Sequence, residues 1–224
     1  MTTTSDLHDL RAAVAAASRG IAASGLVIGT AGNVSARDGD LVAVTATGCD
    51  LATTTVDEVT VVDLDGRVVA GDLQPTSERD LHLGVYRHAP PAQVGAVVHT
   101  HSRMATAMGL VADEIPVLHY QQLVLGGSLR VAPFHTFGSA DLARAVGAAL
   151  DGRLAALMAN HGAVALGADL RAAVGNAELT EWLCDLAWHA RAVGEPRALT
   201  AGQQRDVVEA ATATGYGSTR RADR

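Results

Sequence analysis

Between positions 94 and 101 the chain reads Val94-Gly95-Ala96-Val97-Val98 and passes without a break into His99-Thr100-His101. A run this apolar and β-branched fits a buried strand, and histidines at i and i+2 then project from one face of it. The fold must therefore contain a covered sheet that delivers two imidazoles at a strand end, where unpaired rings would be costly. Upstream, Thr76-Ser77-Glu78 places an acid at a loop-to-helix turn. Downstream, a second apolar run from Leu154 to Met158 ends in Asn160-His161-Gly162. Three neutral nitrogen donors and a carboxylate describe a catalytic zinc site with an exchangeable position. The plainer alternative makes the histidines polar strand ends meeting solvent and Glu78 an acid in a first helical turn. His8, His82, His88 and His189 fall on predicted helices, where surface or structural roles are expected.

All 17 basic residues are arginine. Without lysine there is no Schiff base with a carbonyl substrate, no internal aldimine to pyridoxal phosphate and no P-loop. Carbon–carbon chemistry on this chain needs a metal or another electron sink. The formal net charge of -7 argues against nucleic acid as the main partner. It leaves room for an anionic substrate, because backbone N–H groups and hydroxyls can hold phosphate. At 224 residues, 48% hydrophobic and 18% charged, the chain can bury a full core as one domain. Cys49 and Cys184 are isolated and expected to be reduced thiols. The first ten residues lack a basic leader pattern, and no apolar run reaches the length of a membrane span, so a cytoplasmic protein is expected.

The pattern along the chain predicts a helix from a Ser5 cap to about 24, an irregular strand over 26–37, and a hairpin turn at Asp38-Gly39-Asp40 into a strand at 41–47. A second hairpin, 59–63 with 67–70, turns at Asp65-Gly66. A helix at 78–88 opens on Ser77, a strand spans 94–101, and a short helix runs from 102 to 109. Strands at 129–132, 154–158 and 163–166 follow, with helices at 139–150, 170–192 and 201–213. Antiparallel hairpins come first and alternating strands and helices later, which predicts one α/β domain with a mixed sheet covered by helices. Gly29-Thr30-Ala31-Gly32-Asn33 is not GxGxxG, so dinucleotide binding is not expected. It and Thr45-Ala46-Thr47-Gly48 read either as ordinary turns or as an anion nest of the Asn33 side chain and the Thr47–Gly48 backbone. Tyr120 reads as a half-buried structural residue, and Tyr216 either as a lid over a site or as a weakly packed tail residue.

Taken together these segments resemble the class II aldolase/adducin family, most closely its L-fuculose-1-phosphate aldolases, over about residues 10–217 and in the same order. The resemblance implies a single three-layer domain, 1–224, whose mixed, largely antiparallel sheet is flanked by helices, with a mobile tail at 214–224. Gly29 to Arg37, with Gly32 and Asn33, is similar to the family's phosphate loop. Thr45 to Gly48, with Thr47 and Gly48, is similar to its second phosphate segment. Pro75-Thr76-Ser77-Glu78 is similar to its Ser-Ser-Glu turn, which implies phosphate contacts from Thr76 and Ser77. Glu78 would be both the acid/base and a metal ligand beside His99, His101 and His161, with one Zn²⁺ per subunit. Ile115 to Tyr120 is similar to the segment whose tyrosine is a proton donor reaching a neighbouring subunit, which implies a homotetramer with sites at subunit contacts. Phe137 and Tyr216 match positions lining the aldehyde end. The implied reaction is reversible cleavage of a ketose 1-phosphate to dihydroxyacetone phosphate and an aldehyde such as lactaldehyde. Two departures stand out. Thr76 replaces serine, and His99-Thr100-His101-Ser102 is closer to the L-ribulose-5-phosphate 4-epimerases, which carry aspartate where this chain has Glu78. The family also contains dehydratases, decarboxylases and the non-catalytic adducin head.

Overall fold

Nine strands form one sheet in a computed structural model that describes residues 4–216. In chain order they are β1 (Asn33–Asp38), β2 (Leu41–Thr45), β3 (Val59–Asp63), β4 (Val68–Ala70), β5 (Ala96–Thr100), β6 (Glu114–Ile115), β7 (Leu129–Ala132), β8 (Ala155–Met158) and β9 (Gly162–Gly167). Across the sheet they run β4-β3-β2-β1-β5-β9-β8-β7-β6. Every neighbouring pair is antiparallel except β7 with β8. The helices are α1 (Thr4–Ala23), α2 (Arg79–His88), α3 (Arg103–Gly109), α4 (Ala140–Ala149), α5 (Leu170–Val193) and α6 (Ala201–Thr214).

Strand alternation decides which helices cover which face. Val34, Ala36, Ala96, Val98, Ala163 and Ala165 point into one core, packed under α1, α3 and α5. Val97, Val164, Leu166, Ala156 and Met158 point into the other, under α2 and α4. Both faces are buried, so these strands read as continuous apolar runs rather than as apolar/polar alternation. The exception is β1: its α2-facing positions are Asn33, Ser35 and Arg37, and Asn33 and Ser35 are buried. Polar groups on a covered face require partners, and those partners form the site.

Register brings the site together at one edge of the central strands. Asn33 lies opposite His99 across β1–β5, and His99 lies opposite Val164 across β5–β9. The β8–β9 hairpin turns at the same edge, with Asn160 at φ 58° and the His161 N–H donating to Met158 O. Gly162 follows because a Cβ there would collide with the Thr100 carbonyl. Gly32, at φ 112°, is similarly pressed against Val27 and the His99 carbonyl.

Several predicted boundaries move. The chain is already helical at Thr4, the first described residue and ahead of the expected Ser5 cap, and the strand expected over 26–37 is regular only from Asn33, the preceding turn being an isolated Ile28–Ala31 bridge. The strand expected over 94–101 is Ala96–Thr100, so His101 sits just past its end. Ser77 does not open α2: Glu78 takes the cap position, and its own N–H donates to Thr76 Oγ1 at 3.3 Å. Short pieces escaped prediction: β6 and the 3₁₀ turns Val56–Glu58 and Tyr120–Leu125. Of the tail expected to be mobile, Thr214 ends α6 and Gly215 caps it, while 217–224 lie outside the described residues.

Candidate metal centre and active site

Four elements each supply one donor. His99 comes from β5, His101 from the turn into α3, His161 from the β8–β9 turn and Glu78 from the start of α2. Their ligand atoms all lie within 4.8 Å of one another, and the three imidazole rings sit edge to face at 4.8–4.9 Å between centroids. His99 Nε2 is 3.0 Å from His101 Nε2 and 3.1 Å from Glu78 Oε2, and Glu78 Oε1 is 3.4 Å from His161 Nε2.

The hydrogen bonds around these residues fit a metal. His99 Nδ1 lies 3.0 Å from the Ala163 carbonyl, which can only accept, so Nδ1 carries the proton and Nε2 presents a lone pair. That lone pair faces a carboxylate oxygen and a second imidazole nitrogen. Electron-rich atoms converge in this way when a cation is to be shared among them. That carboxylate oxygen is Glu78 Oε2, while Glu78 Oε1 is buried and accepts no hydrogen bond. Burial holds His101 down to about 4, with His99 and His161 adding to the effect, and burial likewise lowers His161. Both rings are therefore neutral and able to ligate at neutral pH. The Glu78 carboxyl is held well below the usual carboxylate range. Desolvation opposes this, but the neighbouring His99, the hydrogen bond from Asn33 and the nearby His161 outweigh it. A buried, ionised carboxylate among neutral imidazoles suits a divalent cation. These residues would hold one ion, with the Ala163 carbonyl fixing the tautomer of one ligand.

The expected phosphate segments meet beside this cluster. Ala46 bridges Pro75, the Thr47 N–H donates to Gln74 O at 3.0 Å and the Thr76 N–H donates to Thr45 O at 3.0 Å. The Val34 N–H donates to Thr45 Oγ1 at 3.3 Å, which draws Gly32 and Asn33 to the same place. Thr47, Gly48 and Ser77 are exposed there, whereas Thr76 is buried. Gly48, at φ 74°, turns its backbone as a nest requires. The loop carrying Phe137 lies against this turn, because a Cβ on Gly138 would press on the Ser77 carbonyl. Phe137 itself is 66% exposed.

Tyr120 and Tyr216 are brought to each other, their hydroxyls 2.9 Å apart. Tyr120 is 40% exposed on the first turn of its 3₁₀ helix, in ring contact with His119. Buried Gln122 fixes that turn by donating to the carbonyls of Ile115 and Pro116 and accepting from the Leu118 N–H.

Two features escaped the sequence reading. Glu181 on α5 accepts from the N–H groups of Met104 and Ala105, both at 2.8 Å, and so caps α3 directly after His101. His82, expected to have a surface or structural role on its helix, is completely buried and bonded to Asn33 and Ser35. A signal for it exists: Glu78, His82 and Tyr86 recur at i, i+4 and i+8, one side of a helix.

Comparison with known proteins agrees with this geometry. Residues 12–188 match the family described as Class II Aldolase and Adducin N-terminal domain. A 5-methylthioribulose-1-phosphate/5-deoxyribulose-1-phosphate aldolase of Rhodospirillum rubrum is 36% identical over 201 residues, covering 89% of this chain and 90% of that one. An L-fuculose phosphate aldolase of Escherichia coli K12 is 35% identical over 185 residues, 82% of this chain and 85% of that one. A solved L-fuculose 1-phosphate aldolase superposes with a TM-score of 0.86 at 30% identity, over 91% of this chain and 96% of its own.

Proposed function

The chain belongs to the class II aldolase and adducin N-terminal domain family, and on that premise we propose that it is a zinc-dependent aldolase that cleaves a ketose 1-phosphate reversibly to dihydroxyacetone phosphate and a small aldehyde. The observation that carries the reading is the convergence of Glu78, His99, His101 and His161 on one point beside the phosphate segments. An adducin-like assembly module would have no use for that donor set.

When bound, the metal supplies Lewis-acid stabilisation of the negative charge that develops next to the ketone as the C3–C4 bond breaks. The chain's own residues do the rest. Gly32, Asn33, Thr47, Gly48, Thr76 and Ser77 orient the phosphate. Glu78 moves the proton at C3 of the dihydroxyacetone phosphate fragment. Tyr120 takes the C4 hydroxyl proton in cleavage and returns it in synthesis. Phe137 and Tyr216 shape the aldehyde end.

Two of the similar proteins are named for sugar 1-phosphates, whose other ends differ. The phosphate end fits the built part of the site. The tail is assigned to the side of Phe137, which is exposed. An L-fuculose 1-phosphate-like ketose giving lactaldehyde and a 5-deoxypentulose 1-phosphate are therefore both within the proposal. A coupled assay for dihydroxyacetone phosphate across L-fuculose 1-phosphate, 5-deoxy-D-ribulose 1-phosphate and 5-methylthioribulose 1-phosphate should show turnover with at least one. L-Ribulose 5-phosphate, offered alongside, should not be epimerised. Epimerisation without any cleavage would replace this reading with that of a 4-epimerase.

Within its own chain the Tyr120 hydroxyl is bonded to Tyr216 rather than to the metal cluster. We place it in a neighbour's site, in a cytoplasmic homotetramer whose closed symmetry gives each site one borrowed group. Mixing Tyr120→Phe with Glu78→Gln subunits, each nearly inactive alone, should then restore part of the cleavage activity, because some interfaces pair two intact contributors. Activity in a fraction that sedimentation shows to be monomeric would rule this arrangement out.

A further inference from the structure

We propose that His82 is a positioning residue whose tautomer, fixed within a buried chain that runs from Tyr86 to Glu78, holds the Asn33 amide on one oxygen of Glu78 and leaves the other free to react.

Four hydrogen bonds link the two ends. Tyr86 OH lies 2.8 Å from Ser35 Oγ, and Ser35 Oγ lies 2.7 Å from His82 Nδ1. His82 Nε2 lies 2.5 Å from Asn33 Oδ1, and Asn33 Nδ2 lies 3.0 Å from Glu78 Oε2. The polarity of the whole chain follows from its last member. An ionised carboxylate can only accept, so Asn33 must turn its N–H to Oε2. Its carbonyl oxygen then faces His82, and that oxygen also only accepts, so His82 Nε2 must carry hydrogen. A neutral imidazole has one such hydrogen, so Nδ1 accepts from the Ser35 hydroxyl. Ser35 has then used its only proton, and the Tyr86 hydroxyl donates to it. Every donor points toward Glu78.

The far end is immobile. The Arg37 guanidinium stands over the Tyr86 ring at 5.1 Å and donates to the carbonyls of Tyr86, Ala89 and Val94. Asn33, Ser35, His82 and Tyr86 are all buried, so no water replaces a bond that is turned the wrong way. Burial also holds His82 neutral, down to about 3. Alone, an asparagine amide can rotate and exchange its oxygen for its nitrogen. Here rotation would set oxygen against the carboxylate and N–H against the N–H of His82.

The two Glu78 oxygens are thereby made unequal. Oε2 is held by Asn33 and faces the His99 Nε2 lone pair at 3.1 Å, where a metal would bind, while Oε1 accepts no hydrogen bond. The reacting proton is assigned to Oε1. The second N–H of Asn33 is left over for the substrate phosphate. This inference rests on Glu78 being the reacting carboxylate of the proposed function, but the relay itself can be tested without any reaction.

In protein with ¹⁵N-labelled histidine, a ¹H–¹⁵N spectrum of the ring nitrogens at neutral pH should show His82 as the Nε2–H tautomer, assigned by its disappearance in His82→Gln. An Nδ1–H tautomer or an imidazolium overturns the proposal, whatever the enzyme acts on. In the kinetic arm, His82→Leu should lower kcat for hydrogen exchange at C3 of dihydroxyacetone phosphate by ~10–100-fold, with KM little changed, as is usual when the partner of a reacting group is lost. His82→Gln keeps an N–H within reach of Asn33 and should recover most of that loss. Unchanged exchange in His82→Leu, or equal losses in both variants, assigns His82 to packing alone. Should His82→Leu fail to fold, the tautomer decides by itself. A wild-type protein with the expected tautomer but no exchange would fail the proposed function and leave the relay standing.

Discussion

His161→Ala and His99→Ala are expected to leave the protein without stoichiometric metal and to slow cleavage by about a thousandfold. Lewis-acid stabilisation supplies several kcal/mol in sites of this kind, and losing ~4 kcal/mol of it slows a reaction roughly 10³-fold. The geometry offers no substitute ligand. The four donors are the only group of three or more such side chains converging on one point among the described residues. His161 is the cleaner position to change. It is partly exposed on a hairpin turn, so its removal opens little of the core, whereas His99 is completely buried and tied to Ala163. His189→Ala serves as the control, because that ring lies exposed on α5 and pairs with Asp185. Elemental analysis should find one zinc per chain in the wild type and in the control. Full occupancy in His161→Ala would dismantle the proposed centre, as would wild-type cleavage after exhaustive chelation.

The sequence was most legible where one period governs several residues. The two strand-end histidines could be read as co-facial because strand geometry has a repeat of two. His161 could be added because it too ends an apolar run. Composition also carried weight: without lysine, the chemistry had to pass through something other than an amine. What could not be read was partnership between segments distant in sequence. Asn33 opposite His99, Glu181 capping α3 from α5, and His82 bonded to Ser35 all depend on sheet register and helix placement. Nothing local fixes those. His82 illustrates the difficulty. Its neighbours on α2 spell an ordinary amphipathic helix, and the partner that singles it out lies 49 positions away at Asn33. Ser77 shows the opposite error. Its local sequence favours a cap, but Glu78 is drawn toward Asn33 and His99 and takes the cap position, so the tertiary contacts overrule the local preference.

Glu78→Gln separates the two functions that converge on this side chain. The amide is nearly isosteric and keeps an oxygen that can stay near His99, and the three imidazoles are untouched, so zinc should be retained. What is lost is a group that can take up and release a proton. If Glu78 performs general acid–base catalysis, hydrogen exchange at C3 of dihydroxyacetone phosphate should fall by at least ~10²-fold. The environment supports that role. The carboxyl is held below its usual range despite being 6% exposed, with His99 beside it and Asn33 donating to Oε2, and its Oε1 is left without a hydrogen-bond partner. With its oxygen kept at the Oε2 position, the amide places its NH₂ where Oε1 stood, 3.4 Å from His161 Nε2. Some loss of metal affinity is therefore anticipated, but far less than in His161→Ala. Measuring zinc content and tritium exchange on the same preparation distinguishes the roles. Retained zinc with exchange reduced a hundredfold or more identifies the proton carrier. Retained zinc with normal exchange would leave Glu78 as a structural acid at the start of a helix and move the proton transfer to another group.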